Sequence, residues 1–400
     1  MSALLSVFVL LLLPNMASPI YPLWQDQMGF SPSVISLLFA VYPMGVLLSL
    51  FGVMRYLKRF GWRASLLAAT AAAFVGSLLL VAADGPLLLA VSRFITGVST
   101  GICLSVGAST MTAVLERWGV RNAARGAAIV LSSGFACGPL IAGLVADHAP
   151  RPTVLVFALE AVALAAVAVW LAVDPALRSI DDHHRSGVVA AGPTTVRMLP
   201  VEVRPTALLT ATWVFVACGI ACATYQSIGS SYLKDLMGED SATFAGLLVF
   251  LVFGSAFLGQ LLMSDAGTRA QAWVALGAGV TGSVLCLAGV LSDSVAALFV
   301  AASLAGASQG LGQSVGITVA RQTTGLDRLP GVLSRLNVLA YGLAGGSILV
   351  SAPLIDLAGV DVAIGVLAAS VVTLSAGAIT ILCRSHRSFV LRPEPAVALT

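Results

Sequence analysis

Twelve apolar stretches dominate this chain, and each is long enough to cross the ~30 Å hydrocarbon core of a bilayer, which takes roughly 20 helical residues. They lie near residues 3–23, 33–54, 64–83, 86–114, 123–146, 152–173, 205–228, 242–264, 270–291, 294–320, 331–355 and 360–383. Lipid offers the backbone no hydrogen bonds, so each stretch must satisfy its own N–H and C=O groups as a helix. Composition points the same way. Charged residues make up 10% of the chain and hydrophobic ones 58%, whereas a soluble domain is about a quarter charged. The expected fold class is all-α integral membrane, with twelve transmembrane helices. An apolar core before Ala17 and Ser18 resembles a signal peptide, but no basic region leads it and eleven more spans follow. We therefore read it as a retained helix.

The basic residues set the expected orientation, because cytoplasmic loops collect Lys and Arg. Arg55, Lys58, Arg59, Arg63, Arg117, Arg121 and Arg125 fall in loops on one side. The stretch after the sixth span (Arg178, Arg185, Arg197, Arg204) and the tail (Arg384, Arg387, Arg392) share that side, as do Arg269, Arg321, Arg328 and Arg335. Opposite loops carry only Arg151 and Lys234 among acids such as Asp26, Asp84, Asp147 and Asp293. Both termini are thus expected in the cytoplasm, and the protein in the cell (plasma or inner) membrane. The chain divides into an N-terminal six-helix bundle (1–173), a cytoplasmic linker (174–204), a C-terminal six-helix bundle (205–383) and a cytoplasmic tail (384–400). The linker's Asp181-Asp182-His183-His184 run reads as part of a solvated tether, since paired histidines without nearby cysteines are a weak metal signal.

A shift of 209 residues brings the halves into register: Gly45 meets Gly254, Asp84 meets Asp293, and Asp147 meets Asp356. Gly97, Ser99 and Gly101 meet Gly306, Ser308 and Gly310. Apolar matches are cheap in so apolar a chain, but glycine and aspartate matches at one offset are not. Two related bundles with the same membrane orientation form a parallel repeat, an arrangement found in transporters.

Three motifs stand out. The fourth span carries Arg93-x-x-x-Gly97-x-x-x-Gly101, and the fifth carries Gly134-x-x-x-Gly138-Pro139-x-x-Ala142-Gly143. Glycines four apart leave a bare strip on which a neighbouring helix can lie closely. The loop after the second span reads Met54-Arg-Tyr-Leu-Lys58-Arg59-Phe-Gly61-Trp-Arg63. With these motifs, and with Pro19-Ile-Tyr-Pro22 in the first span similar to a proline-containing segment of drug-efflux members, the whole chain resembles the major facilitator superfamily, and within it the twelve-helix drug or small-molecule:proton antiporters. That resemblance implies a proton-transfer role for the arginine of the fourth span. It implies export for the Gly138-Pro139 motif. The loop departs from the family pattern, for Lys58 stands where the family has an aspartate that latches the cytoplasmic side. Asp327 is a candidate counter-charge.

Arg93 and Glu160 are the proton-coupling candidates, each about two turns inside its span, where charge is costly unless paired or functional. Structural pairing between them competes with a proton role. By analogy with the superfamily, helices one, four, seven and ten line the cavity. Their polar residues include Asn15, Ser99, Thr100, Tyr225, Gln226, Gln309 and Gln313. These amides and hydroxyls suit a small, partly apolar organic molecule better than a phosphate ester. The expected function is proton-coupled efflux by alternating access. The alternative is an importer of a neutral metabolite, with an intramembrane enzyme or a sensor further behind. An enzyme would need clustered acids, His or Cys at membrane depth. The six cysteines lie within or beside apolar runs without metal-ligand partners. No metal or cofactor is expected, no ATP-binding loop is present, nucleic acid is not an expected partner, and a monomer is plausible.

Overall fold

A computed structural model describes residues 1–120, 123–175, 204–225, 232–233, 242–324 and 329–384. These residues form helices and short connections, with no strand among them. The helices are α1 (Ser2–Met16), α2 (Tyr21–Met28), α3 (Pro32–Val81), α4 (Pro86–Arg117), α5 (Ala123–His148) and α6 (Pro152–Val173). After them come α7 (Arg204–Thr224), α8 (Ala242–Leu262), α9 (Thr268–Leu291), α10 (Val295–Thr323), α11 (Leu329–Ala358) and α12 (Val360–Arg384). Among the described residues, twelve segments are long and apolar enough to span a membrane. The expected all-α, twelve-span fold class holds.

The first three spans differ in detail from expectation. The first is two helices, not one, joined by a 3-10 turn at Ser18–Ile20. Pro19 and Pro22 lack the N–H groups that a continuous helix would donate to the carbonyls of Asn15 and Ser18. The chain therefore tightens, and the amides of Ile20 and Tyr21 both bond the Ala17 carbonyl at 3.0 Å. The second and third spans belong to one helical path, α3, which breaks at Gly61 instead of in an open loop. Gly61 has φ 81° and ψ 178°, a conformation essentially restricted to glycine.

Packing divides the chain into two compact units, one comprising Met1–Thr194, Gln226–Phe253 and Ile348–Leu357, the other Thr195–Tyr225, Gly254–Ser347 and Ala358–Thr400. In the first unit α3 lies along α4, α1 along α5, and α6 against α3. Missing side chains permit this closeness. A methyl group on Gly45 would overlap the Phe94 carbonyl oxygen, and one on Gly97 the Tyr42 carbonyl oxygen. Without a hydrophobic drive between helices in lipid, such backbone-on-backbone dispersion contacts hold the pair.

In the second unit α10 packs on α9 and α7, and α12 covers α7 and α9. Its core joins Ala211, Val214 and Cys218 of α7 to Ala275 and Leu276 of α9 and to Leu311 and Val315 of α10. The repeat appears in this packing. Gly101 of α4 lies against Val46 and Ser49 of α3, and Gly310 of α10 lies against Ala256 of α8. Ser99 donates to the Ala69 carbonyl, and its mate Ser308 to the Ala275 carbonyl, both bonds joining a helix to the one before it.

Candidate functional site

Arg93 is 1% exposed, one of the largest fully buried side chains in the molecule. Its guanidinium does not reach out to a membrane face. Instead Nη1 donates to the Pro14 carbonyl at 2.7 Å, in the last turn before the first span breaks. The same group lies 4.8 Å from the centroid of the Tyr42 ring and 5.9 Å from that of Phe39. A cation over a desolvated aromatic face gains about 2 kcal/mol. Arg93 Nε has no hydrogen-bond partner. The α1–α2 break, α3 and α4 thus hold one buried cation among aromatic rings and a carbonyl.

Glu160 of α6 is 3% exposed, and its Oε1 is buried without a hydrogen bond. One turn earlier, Phe157 stacks on Trp24 with ring centroids 5.3 Å apart, and its carbonyl accepts from Ser77 at 2.8 Å. Trp24 meets Tyr21, and Tyr21 meets Phe39 beside Arg93. The pairing considered from sequence is absent, because Arg93 and Glu160 form no ion pair. A run of aromatic rings from Phe39 to Phe157 connects their neighbourhoods instead.

The polar residues nominated for a cavity divide into two sets. Three are engaged in holding helices. Asn15 Nδ2 donates to the Phe135 carbonyl at 3.2 Å, Ser99 to Ala69 at 2.8 Å, and Thr100 to Thr96 at 2.8 Å. Two keep polar atoms uncommitted: the buried Tyr225 hydroxyl and the Gln309 Oε1 have no hydrogen bond. Gln309 turns that oxygen toward Gly219 of α7. Gln313 is half-buried, and Gln226 lies outside the described residues.

The glycine motifs have distinct partners. Gly134 and Gly138 lie against the Phe8 and Leu12 carbonyls of α1, while Gly143 lies against the Ala242 carbonyl of α8. The Pro139 carbonyl, in turn, faces Gly246. Gly97 and Gly101 face α3. In the loop motif, Gly61 makes the break in α3, and Arg63 donates to the Leu171 carbonyl at 3.1 Å and to the Ala172 carbonyl, closing the C-terminus of α6. The side chains of Lys58 and Arg59, and all of Asp327, lie outside the described residues. No group of three or more potential metal ligands exists among the described residues. Sequence reasoning missed Asp147 as more than a loop charge. The available signal was its match with Asp356 across the repeat.

Twelve spanning helices arranged as a parallel repeat, with buried polar groups inside each unit, make a secondary-transporter architecture. The chain belongs to the Major Facilitator Superfamily, whose family model matches residues 3–347. No curated protein matches it by sequence. Among solved structures it resembles the nucleoside transporter NupG at 8% identity and a TM-score of 0.71, over 95% of this chain and 98% of that one. It also resembles a POT family transporter in complex with a thioalcohol-conjugated peptide, at 13% identity and a TM-score of 0.71, over 96% of this chain and 95% of that one. A POT family transporter in complex with 5-aminolevulinic acid gives 13% identity, a TM-score of 0.68 and the same coverage. At such identities the likeness is one of fold.

Proposed function

We propose that this superfamily member is a proton-coupled exporter of a small, partly apolar organic molecule, working by alternating access in the cell membrane with both termini cytoplasmic. The observation that carries the coupling is the Glu160 carboxyl, buried in α6 with an oxygen that bonds nothing. A carboxyl enclosed at membrane depth without a structural partner is a group for exchanging a proton. Arg93 is the second coupling candidate, its guanidinium held by Pro14 and Tyr42 with Nε uncommitted. Export is supported by the Gly138-Pro139 motif. Tyr225 and Gln309 are the substrate contacts we favour, because their polar atoms are not used in packing. A neutral or weakly polar substrate suits these groups.

The test uses everted vesicles with an acid interior, to which lipophilic cations, antibiotics and neutral metabolites are added while lumenal pH is followed. Alkalinisation by one compound, abolished in Glu160→Gln, supports proton-coupled export and gives the substrate class. Silence across the panel, together with substrate-dependent uptake by intact cells, overturns export in favour of the importer reading.

A further inference from the structure

The α5 face turned toward α8 repeats every four residues. Phe135 stacks on Phe253 with centroids 5.7 Å apart, the Pro139 carbonyl lies against Gly246, and Gly143 lies against the Ala242 carbonyl. The next position is Asp147, whose Oδ1 accepts the Ala242 N–H at 2.8 Å and whose Oδ2 accepts the Thr243 N–H at 3.0 Å. These residues all belong to the first compact unit. One carboxylate thus takes two of the first amides of α8, which no carbonyl inside that helix can satisfy. Its charge also sits at the positive end of the helix dipole.

We propose that Asp147 is a latch that fastens the ends of α5 and α8 and must let go when the seam between them opens. This rests on the alternating-access reading above. Below Asp147 the close contacts of the seam are glycine against carbonyl and one aromatic stack, which hold by dispersion. The carboxylate is the polar fastening at its end. Asp147 is exposed where the helices end, next to exposed His148. On separation, water can take over both the carboxylate and the two amides, so opening costs far less than breaking the same bonds at membrane depth. A fastening of that strength can close and open in every cycle. By the arginine distribution it lies on the exterior face.

The experiment places spin labels at His148→Cys and Phe244→Cys, both exposed positions, with Cys137 and Cys383 replaced by alanine. Distances are read in detergent and in nanodiscs for Asp147, Asp147→Asn and Asp147→Ala. With Asp147 the short distance dominates. In Asp147→Ala the longer population rises on the order of tenfold, as expected for losing two charge-assisted bonds. Asp147→Asn, which keeps the shape and one acceptor, falls between. Identical distributions in all three overturn the latch. If Asp147→Ala fails to fold, Asp147→Asn against the parent decides in the same way. The readout needs no substrate, so a failed transport assay leaves the latch standing, and unchanged distances leave the transport reading untouched.

Discussion

At the scale of single residues, Arg93 and Glu160 are both buried, but for different physical reasons. Arg93 is anchored by the Pro14 carbonyl and the Tyr42 face. Arg93→Ala is expected to destabilise the protein by about 2–4 kcal/mol, from a lost charged hydrogen bond and cation–π contact. Arg93→Lys retains a charge and a donor, and should lose less. Thermal unfolding in detergent measures both. Glu160 has an unpartnered oxygen and no arginine partner. Glu160→Gln is therefore expected to shift stability by no more than about 1 kcal/mol, whereas cutting a buried ion pair costs about 3–5 kcal/mol. A large drop in melting temperature for Glu160→Gln would reinstate the ion pair. The sequence showed that two charges lay deep in apolar helices. It could not show that the α1–α2 break would offer Arg93 a carbonyl, because that depends on where Pro19 and Pro22 re-aim a different helix.

At the scale of elements, breaks and ends do more than the regular turns between them. Gly61 alone permits the sharp break in α3, and Arg63, two residues on, closes the last turn of α6. Any residue with a Cβ at Gly61 pays for a backbone region almost reserved for glycine. Gly61→Ala is expected to lose about 1–3 kcal/mol in denaturant or thermal unfolding. Arg63→Ala frees the Leu171 and Ala172 carbonyls, so amide exchange should quicken in the last turn of α6 while α5 is unaffected. Equal protection of that turn in wild type and variant would deny the cap. Gly61 of this loop motif and the three glycines of the fifth-span motif were legible from spacing, but what each meets was not. Gly134 and Gly138 meet α1, while Gly143 meets α8, and only the rotation of α5 decides which glycine faces which helix.

For the molecule as a whole, hydropathy revealed all twelve spans, because lipid imposes one length and one backbone solution on each. The parallel repeat was legible through glycines and aspartates at one offset, and the paired packing of Gly101 and Gly310 supplies its physical cause. Orientation is a different kind of property. It follows from loop charges acting on a membrane. A native thiol can report it. Of the cysteines, Cys103, Cys218, Cys222 and Cys286 are buried and Cys137 is half-buried, while Cys383 is exposed in the last turn of α12 beside Arg384. In the orientation proposed from the arginines, that turn lies on the cytoplasmic face. A membrane-impermeant maleimide is therefore expected to label everted vesicles rapidly and intact spheroplasts hardly at all, with labelling lost in Cys383→Ala. Because the two preparations expose opposite faces to one reagent, rapid labelling of spheroplasts alone would invert the topology. It would also move the Asp147 seam to the cytoplasmic side.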